Sequence, residues 1–349
     1  MKEFQHAIRI GDRIIGNDQP CFIIAEVGSN HNGDLSLAKR LIDAAVKVGA
    51  DAVKFQSFQA ENIAAPYVVQ KGGRTSEYLP YKIFKKFALP KDWHQILINY
   101  ARRQGLAFLS TPFDFESANM LDDLNVPAFK IASGDITNLP LIRHIASKGK
   151  PILLATGTAR LGEVEDALEV INAVGNKDVI LLHCVTRYPS DFSDANIRAM
   201  CTLARAFNKL VGYSDHSPGS VVPIGAVALG AVVIEKHFTL DKTWDGPDHS
   251  YALSVDEFKQ MVRDIRKLEQ ALGNGIKTAV EGESKALVNA RRSIYAVRDI
   301  PEGAFITKDM IAVLRPAKGL APKYLDEVIG RRARRCIHKF EPLSWNILD

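Results

Sequence analysis

Residues 22–56 read FIIAEVGSNHNGDLSLAKRLIDAAVKVGADAVKFQ, and this stretch decides the fold. It begins with the apolar run Phe22–Val27 and ends with a second short run, Ala52–Gln56. Between them, apolar residues recur at three- and four-residue spacing over Leu35–Val48. Short runs rich in β-branched residues predict buried strands, and the helical period predicts an amphipathic helix. The stretch therefore predicts a β–α–β unit with parallel strands.

The same alternation continues to about residue 270. The strand-like runs are Phe22–Val27, Ala52–Gln56, Ala107–Ser110, Ala128–Ala132, Ile152–Ala155, Val179–His183, Leu210–Tyr213 and Val232–His237. The later helical stretches include Trp93–Gln104, Val164–Val174 and Val255–Leu272. This pattern predicts an α/β fold in which eight β/α units close into a (β/α)8 TIM barrel. An open doubly wound sheet is the competing architecture, but no Gly-x-Gly-x-x-Gly motif follows the first run.

The chain is longer than a barrel alone requires. Its 349 residues exceed the about 250 of a typical TIM barrel and leave room for an appended domain. We expect the barrel over residues 1–272, a glycine-containing linker over 273–283 and a small β-rich domain over 284–349. The segment Ser57–Asp92 exceeds the usual length of a βα loop, which predicts a lid over the mouth of the barrel.

Composition argues against several classes of function. Of the formal net charge of +5, +4 lies in Val280–Asp349, which holds 13 basic and 9 acidic residues. No recognition motif or interleaved aromatics accompany this charge, so we expect no nucleic-acid partner. The longest apolar stretch, Val221–Ile234, is shorter than the about 18 residues of a membrane span, so we expect no membrane role. The four scattered cysteines and the lack of a signal-peptide core predict a cytoplasmic protein.

Polar residues collect where the strand runs end. In chain order these residues are Glu26, Lys54 with Gln56, Ser110 with Thr111, Lys130 with Ser133, Thr156, His183 with Tyr188, Ser214 with His216, and Glu235 with His237. Barrel enzymes carry their active sites at the carboxyl ends of the strands. The sequence therefore predicts one polar mouth to which all eight strands contribute.

Two histidines at this mouth predict a metal site. His216 and His237 end the seventh and eighth runs, which are neighbours about 4.8 Å apart in a closed barrel. Two imidazoles with water and substrate oxygens suit an octahedral divalent ion better than tetrahedral zinc. We expect Mn²⁺, with Mg²⁺ or Co²⁺ as alternatives. Glu235 either orients a ligand or is a charge of the barrel wall.

Two lysines predict an anion site. Lys54 and Lys130 lie in otherwise apolar runs, and burying an unpaired lysine is costly, so an anionic ligand explains both. With Thr111 and Ser133 they would hold a phosphate and a carboxylate.

Three other interpretations stay open. The lysines could instead form salt bridges to Glu26 or Asp135. One lysine could form a Schiff base, as in pyruvate-dependent aldolases, although in barrel-type pyruvate lyases that lysine lies on strand six, which here ends Leu-Leu-His-Cys. The chain could also be a non-catalytic carbohydrate-binding or ice-binding-like protein, for which paired lysines and histidines would have no use.

The motifs resemble those of the N-acetylneuraminate (sialic acid) synthase family. The similar stretches are Phe22–Asp34, Val53–Gln56, Ser110–Phe113, Lys130–Gly134, Gly212–His216, Glu235–Leu240 and Gly246–His249. Residues 280–349 resemble the family's antifreeze-like (SAF) domain. The resemblance implies a TIM barrel with a SAF domain. It also implies a transferase that condenses phosphoenolpyruvate with N-acetylmannosamine, forming a carbon–carbon bond and giving N-acetylneuraminate and phosphate.

The resemblance also implies roles for individual residues. The phosphoenolpyruvate ligands would be Lys54, Thr111, Lys130 and Ser133, and the sugar ligands Glu26, Gln56, Tyr188 and Asp248. The remaining residues that we assign to the site are Thr186, Ser214 and Glu235, with Glu26, Glu235 and the two histidines as catalytic residues. His216 and His237 would bind the metal. Arg315 would reach the sugar of a partner subunit in a domain-swapped homodimer.

Two positions depart from the family pattern. Ala155 stands where many members have a phosphate-binding serine, which Thr156 would have to replace, and Thr186 stands where they have Asn or Ser. Phe55 and Gln56 favour N-acetylmannosamine as the sugar. The alternative is a legionaminate or pseudaminate synthase that uses a diacetamido-trideoxyhexose.

Overall fold

The computed structural model describes residues 7–70 and 72–349. The chain divides into two compact units, Met1–Gly273 and Asn274–Asp349. The first unit contains the alternating strands and helices, and the second is smaller and rich in turns. Residues 274–280, which follow the last helix of the first unit, are exposed and have no regular secondary structure.

Eight parallel strands close into a barrel. We number them barrel strands 1 to 8: Phe22–Glu26, Ala52–Ser57, Ala107–Pro112, Phe129–Ile131, Ile152–Ala155, Val179–Cys184, Leu210–Asp215 and Val233–Thr239. Each strand pairs in parallel with its neighbours in the chain. Barrel strand 8 also pairs with barrel strand 1, which closes the ring. The predicted closed barrel is confirmed, and the open sheet is excluded.

One helix follows each strand on the outside of the barrel. These helices are Leu35–Val48, Trp93–Arg103, Phe115–Asp123, Leu139–Ala146, Leu161–Ala173, Ala199–Phe207, Val221–Ala228 and Val255–Leu272. The first begins at Asp34, whose side chain accepts hydrogen bonds from Ser36 N and Leu37 N, and ends at Gly49 with a φ of 80°. Its apolar face is buried against the strands in the larger core of the barrel unit.

An antiparallel hairpin seals the amino-terminal end of the barrel. It consists of Ala7–Ile10 and Arg13–Gly16. Its buried Ile8, Ile10 and Ile15 pack with inward-facing residues of the barrel strands in a second, separate core. The sequence pattern did not predict this hairpin.

The segment between barrel strand 2 and the helix Trp93–Arg103 has its own secondary structure. It contains the helices Ala60–Ile63 and Leu79–Phe87 and the antiparallel strands Tyr67–Val69 and Thr75–Glu77. The sequence predicted only a long loop here. We call residues 58–92 the lid segment.

The second unit has a core of its own. Its strands Ser293–Ala296 and Ile311–Leu314 pair antiparallel, and its helices are Ser284–Asn289 and Leu325–Val328. Apolar residues from across the unit form one buried cluster. Among the residues described in both units, no helix has the length and apolar character needed to cross a membrane.

Candidate active site

A cavity of about 340 Å³ lies at the carboxyl ends of the barrel strands. Thirteen of the fourteen predicted site residues line it: Glu26, Lys54, Gln56, Thr111, Lys130, Ser133, Thr186, Tyr188, Ser214, His216, Glu235, His237 and Asp248. The fourteenth, Arg315, is exposed in the second unit. The barrel therefore brings together side chains from strands that are far apart in the sequence.

Four buried charges form the floor of the cavity. Lys54 Nζ lies 2.9 Å from Glu26 Oε2 and 3.8 Å from Glu235 Oε1, and it donates to Thr111 Oγ1 at 3.1 Å. Lys130 Nζ donates to Glu235 Oε1 at 2.9 Å. Lys54 therefore forms the ion pair with Glu26 that the sequence left open, and Glu235 is a carboxylate partner of both lysines. Two positive and two negative groups balance each other at less than 5% exposure.

The two carboxylates of this floor differ in acidity. Burial raises the pKa of Glu26 to about 7, against the lowering effect of Lys54. Burial also acts to raise the pKa of Glu235, but Lys130 and Lys54 outweigh it and hold that pKa below its ordinary value. Glu26 can therefore take up or release a proton near neutral pH, whereas Glu235 stays ionised.

Ser133, Gly157 and Thr186 meet at one point, and Ser133 and Thr186 line the same cavity as Lys130. Ser133 begins the short 3₁₀ turn Ser133–Asp135 after barrel strand 4, and its Oγ accepts a hydrogen bond from Gly157 N at 3.0 Å. A Cβ on Gly157 would lie 2.3 Å from Thr186 Oγ1 and 2.6 Å from Ser133 Oγ. Only glycine leaves room for both hydroxyls at this point. Two hydroxyls near an ammonium group suit the oxygens of a phosphate.

Thr156 does not take the place of the serine that many family members have at the position of Ala155. Ala155 lines the mouth cavity, but Thr156 does not. The Thr156 hydroxyl is instead buried and donates to Leu182 O at 3.2 Å. The expected compensation by Thr156 is therefore wrong, because successive strand residues point to opposite faces.

His216 and His237 lie side by side, with ring centroids 5.6 Å apart. His216 Nδ1 donates to Val185 O at 2.8 Å, which leaves Nε2 with a free lone pair. His237 Nδ1 is buried without a hydrogen-bond partner. Burial lowers the pKa of His216 to about 4 and also lowers that of His237, so both rings are neutral at physiological pH.

These features fit a site with two nitrogen ligands. A neutral ring with a free lone pair is the form that binds metal ions. Within residues 7–70 and 72–349, no three His, Cys, Asp or Glu side chains converge on one point. The rest of the coordination shell would therefore come from water and substrate oxygens, as the sequence predicted for an octahedral ion.

Asp248 is fixed beside His237. Its Oδ2 accepts from Ser29 N at 3.0 Å and lies 3.9 Å from His237 Nδ1, and its Oδ1 accepts from Tyr251 OH at 2.6 Å. Gly28 has a φ of 54°, and a Cβ there would lie 2.6 Å from Asp248 Oδ2 and 3.0 Å from His237 Cε1. The loop after barrel strand 1 thus requires glycine for both its conformation and its space.

Among the large apolar and aromatic side chains near the site, sequence reasoning missed four. Ile83 and Phe84 of the lid segment and Phe113 line the cavity, and the Tyr251 ring lies 5.3 Å from that of His237. None of them ends a barrel strand with a charged group. The Gly246–His249 motif, two residues before Tyr251, was the one available signal for the tyrosine.

The closed barrel with a charged mouth defines an α/β-barrel enzyme, and comparisons with known proteins specify its class. The NeuB family model matches residues 41–277, and the SAF domain model matches residues 291–348. The chain therefore belongs to the NeuB family. It is an enzyme, a phosphoenolpyruvate-dependent nonulosonic acid synthase. Synthases of this family are generally metal-dependent.

Several relatives match over nearly the whole chain. The N,N′-diacetyllegionaminic acid synthase of Campylobacter jejuni is 44% identical over 90% of this chain and 96% of its own length. The enzyme of the same name from Legionella pneumophila is 41% identical over 96% of each chain. The human N-acetylneuraminate-9-phosphate synthase is 34% identical over 97% of this chain and 95% of its own length.

A solved structure supports the same assignment. The N-acetylneuraminic acid synthetase of Leptospira borgpetersenii, solved with citrate, superposes with a TM-score of 0.74 at 34% identity. It covers 82% of this chain and 97% of its own.

Proposed function

We propose that this enzyme condenses phosphoenolpyruvate with a diacetamido-trideoxyhexose to give N,N′-diacetyllegionaminic acid and phosphate. The observation that carries the proposal is the identity of 44% and 41% to two synthases named for that acid, against 34% to the human enzyme. The preference for N-acetylmannosamine drawn from Phe55 and Gln56 gives way to the alternative, because Phe55 packs in the apolar core against Phe108 and does not line the cavity. Pseudaminic acid is a second candidate, since the synthase of Helicobacter pylori is 38% identical.

The lining of the cavity supports a deoxygenated sugar. Ile83, Phe84 and Phe113 place apolar side chains in the same cavity as the polar Gln56 and Asp248. A trideoxyhexose carries a methyl group where N-acetylmannosamine carries a hydroxymethyl group. An apolar wall favours the methyl group because a hydroxyl buried there would lose its hydrogen bonds.

The floor of the cavity suits phosphoenolpyruvate. Its phosphate and carboxylate would lie against Lys54 and Lys130, with Thr111, Ser133 and Thr186 donating hydroxyl hydrogen bonds. In the reaction, C3 of phosphoenolpyruvate forms a bond to the aldehyde carbon of the sugar, and the aldehyde oxygen becomes a hydroxyl. Water adds at C2, the C–O bond to phosphate breaks, and a 2-keto acid and inorganic phosphate result.

Glu26 is the group that we assign to proton movement. Its pKa of about 7 lets Oε2 accept a proton from the attacking water, while Lys54 compensates the charge of the carboxylate. Glu235 holds the two lysines in place and remains an anion.

Because phosphoenolpyruvate is a cytoplasmic metabolite, we place the activity in the cytoplasm.

His216 and His237 would hold a divalent ion, for which we propose Mn²⁺. A bound ion of this kind supplies Lewis-acid polarisation of the sugar aldehyde. We expect a chelator to abolish activity and added Mn²⁺ to restore it. In His237→Ala, Mn²⁺ should not restore activity. Full turnover by metal-free protein would exclude the metal role.

The identity of the sugar substrate is tested by measuring the phosphate released from phosphoenolpyruvate with each candidate sugar. Purified enzyme receives phosphoenolpyruvate, Mn²⁺ and either the diacetamido-trideoxyhexose or N-acetylmannosamine. We expect kcat/KM to be at least about tenfold higher for the trideoxyhexose, the usual discrimination of an apolar pocket. Phe84→Ala should reduce this ratio, and Phe115→Ala, at an exposed position outside the cavity, should not. A higher kcat/KM with N-acetylmannosamine would contradict the proposal.

We further propose that Arg315 completes the site of a partner subunit in a domain-swapped homodimer. The exposure of Arg315 and the positive charge of the second unit support this, since phosphoenolpyruvate is anionic. Mixing Arg315→Ala with His237→Ala subunits tests it. If Arg315 acts across the dimer, mixed dimers hold one intact site and regain part of the activity. A mixture that stays inactive after confirmed subunit exchange would refute the arrangement.

A further inference from the structure

A buried ion pair lies directly behind the two histidines. Asp215 of barrel strand 7 and Lys236 of barrel strand 8 are opposite each other in the register of the two strands. Each precedes a histidine, His216 or His237, in the sequence. Asp215 is 1% exposed and Lys236 is 2% exposed. No step of the proposed reaction uses either charge.

The pair joins the ends of the two strands through three kinds of contact. Lys236 Nζ lies 2.5 Å from Asp215 Oδ2 and also donates to Ser217 O. Asp215 Oδ1 accepts from Ser217 N at 3.0 Å, and its Oδ2 accepts from Ser217 Oγ at 3.1 Å. The chain is thereby held on both sides of His216, at Asp215 and at Ser217, and tied to the residue before His237.

The pair cannot reach the substrate. Side chains along a strand alternate between the two faces of the sheet. Ser214 and Glu235, the preceding register pair, point into the cavity and bond each other there, with Ser214 Oγ donating to Glu235 Oε1 at 2.9 Å. Asp215 and Lys236 therefore point to the opposite face, and neither lines the mouth cavity.

Stability alone does not account for buried charges at this place. Removing two charges from water is costly, and an apolar pair of similar volume is often as stable or more stable. A hydrogen-bonded ion pair does, however, fix direction and distance more narrowly than apolar contacts, which are non-directional. Groups that orient metal ligands from behind commonly change metal affinity when they are altered.

We propose that Asp215, Lys236 and Ser217 form a clamp that sets the spacing of His216 and His237 and thereby the affinity for the divalent ion. The clamp consists of positioning residues, since none touches the ion or the substrate. The inference deepens the proposed function and rests on its assignment of both histidines to the metal. A purely structural role would lower stability but leave the metal affinity of the folded protein unchanged.

The test measures Mn²⁺ affinity, not activity. Metal-free wild type and the double variant Asp215→Leu/Lys236→Met, which replaces both charges by apolar groups, are titrated with Mn²⁺ alone and, separately, with phosphoenolpyruvate alone. We expect the Kd for Mn²⁺ to rise by about 10- to 100-fold in the double variant. The Kd for phosphoenolpyruvate should change less than about threefold, because Lys54 and Lys130 are untouched. Thermal unfolding establishes that the variant is folded.

Two further variants keep the test decisive. Ser217→Ala removes one hydroxyl from the clamp and should weaken Mn²⁺ binding by a smaller factor, so it replaces the double variant if that one does not fold. The control is Arg266→Met, on the helix Val255–Leu272. It removes the 3.1 Å ion pair between Arg266 and Asp51 and should leave the Kd for Mn²⁺ unchanged. Wild-type Mn²⁺ affinity in the folded clamp variants would overturn the proposal. The proposal would also be overturned if the wild-type protein bound no Mn²⁺. If the enzyme released no phosphate with the diacetamido-trideoxyhexose, only the proposed substrate would be overturned.

Discussion

The two ends of the barrel interior are built from the same strands but from opposite kinds of residue. At the amino-terminal end, Ile10 and Ile15 of the hairpin belong to the same apolar core as Phe22 and Ala52. At the carboxyl end, two residues beyond Ala52 on the same face of barrel strand 2, Lys54 lies among three other buried charges. A shift of two residues along one strand thus separates a core from a reaction site.

This contrast shows how the barrel divides its tasks. Burying an aliphatic side chain stabilises the fold by about 1.5–3 kcal/mol, and the sealed end does this with Ile8, Ile10 and Ile15. A buried ion pair roughly balances its desolvation cost at best, so the mouth adds little to stability. We therefore expect substitutions at the sealed end to change stability and substitutions at the mouth to change ligand binding.

The largest expected effect is on stability at the sealed end. Ile10 has 0% exposure, and Ile10→Ala should lower the free energy of unfolding by about 2–5 kcal/mol through lost burial and a cavity. Denaturant unfolding measures this change. The matched control is Ile14→Ala in the same hairpin, since Ile14 is 43% exposed and should cost far less. A changed phosphoenolpyruvate Kd in folded Ile10→Ala protein would break the division between the two ends.

A smaller effect is expected at the mouth, on binding. Lys130→Met keeps the apolar stem but removes a charge-assisted contact to the anion, worth about 1.5–3 kcal/mol or about 10- to 150-fold in phosphoenolpyruvate Kd. Calorimetric titration measures it. Lys150→Met removes a lysine whose ion pair to Asp122, 2.9 Å long, lies outside the cavity, and should leave the Kd unchanged. Normal phosphoenolpyruvate binding by Lys130→Met would remove Lys130 from the anion site.

The smallest expected effect is the pH dependence that buried polar groups give the mouth. Burial lowers the pKa of His31, in the loop after barrel strand 1, to about 4. The unfolded chain binds this proton near pH 6.5, so the contribution of neutral His31 to stability is present above that pH and is lost as the pH falls toward 4. At pH 5 the loss is about 2 kcal/mol.

His31→Asn isolates this contribution. The asparagine Oδ1 can accept the hydrogen bond that Nδ1 now accepts from Gly33 N, and it does not titrate. Between pH 7 and pH 5, the unfolding free energy of His31→Asn should therefore fall by about 2 kcal/mol less than that of wild type. His338→Asn, at an exposed position of the second unit, should follow wild type. If the unfolding free energies of wild type and His31→Asn changed with pH in parallel, His31 would make no such contribution to the pH dependence of stability.

The barrel and most of its mouth could be predicted because both follow from periodicity. The eight strand runs alternate with helices, and the carboxyl ends of parallel strands must meet, which predicted eleven of the thirteen cavity residues. Thr186 and Asp248 followed only from the resemblance to the synthase family. The hairpin Ala7–Ile10 with Arg13–Gly16 stands outside this alternation and gave no helix–strand signal. The apolar Phe84 lies on a short helix in a segment without strand-end chemistry, so the sequence pattern did not show that its side chain lines the cavity.

Other features depend on information beyond one strand. Thr156 was expected near the phosphate, but the face on which a residue lies depends on the strand register, which one sequence does not specify at its last residues. Arg315 lies in a separate unit, and the role proposed for it depends on a second copy of the chain. The proposed choice of sugar depends on a methyl group against apolar walls, for which no charged residue serves as a signal.

Gly28 and Gly157 have a consequence for how variants of this enzyme are interpreted. Neither has a side chain that could bind or react, yet any Cβ would press against Asp248 and His237 in one case and against Ser133 and Thr186 in the other. Random mutagenesis scored by activity would therefore find both positions as intolerant as the lysines. A map of mutation-sensitive positions would therefore include these two glycines, which take no part in the chemistry. They are sensitive because the neighbouring side chains leave no space for a Cβ atom. Library designs that fix these two glycines would keep more of their members active.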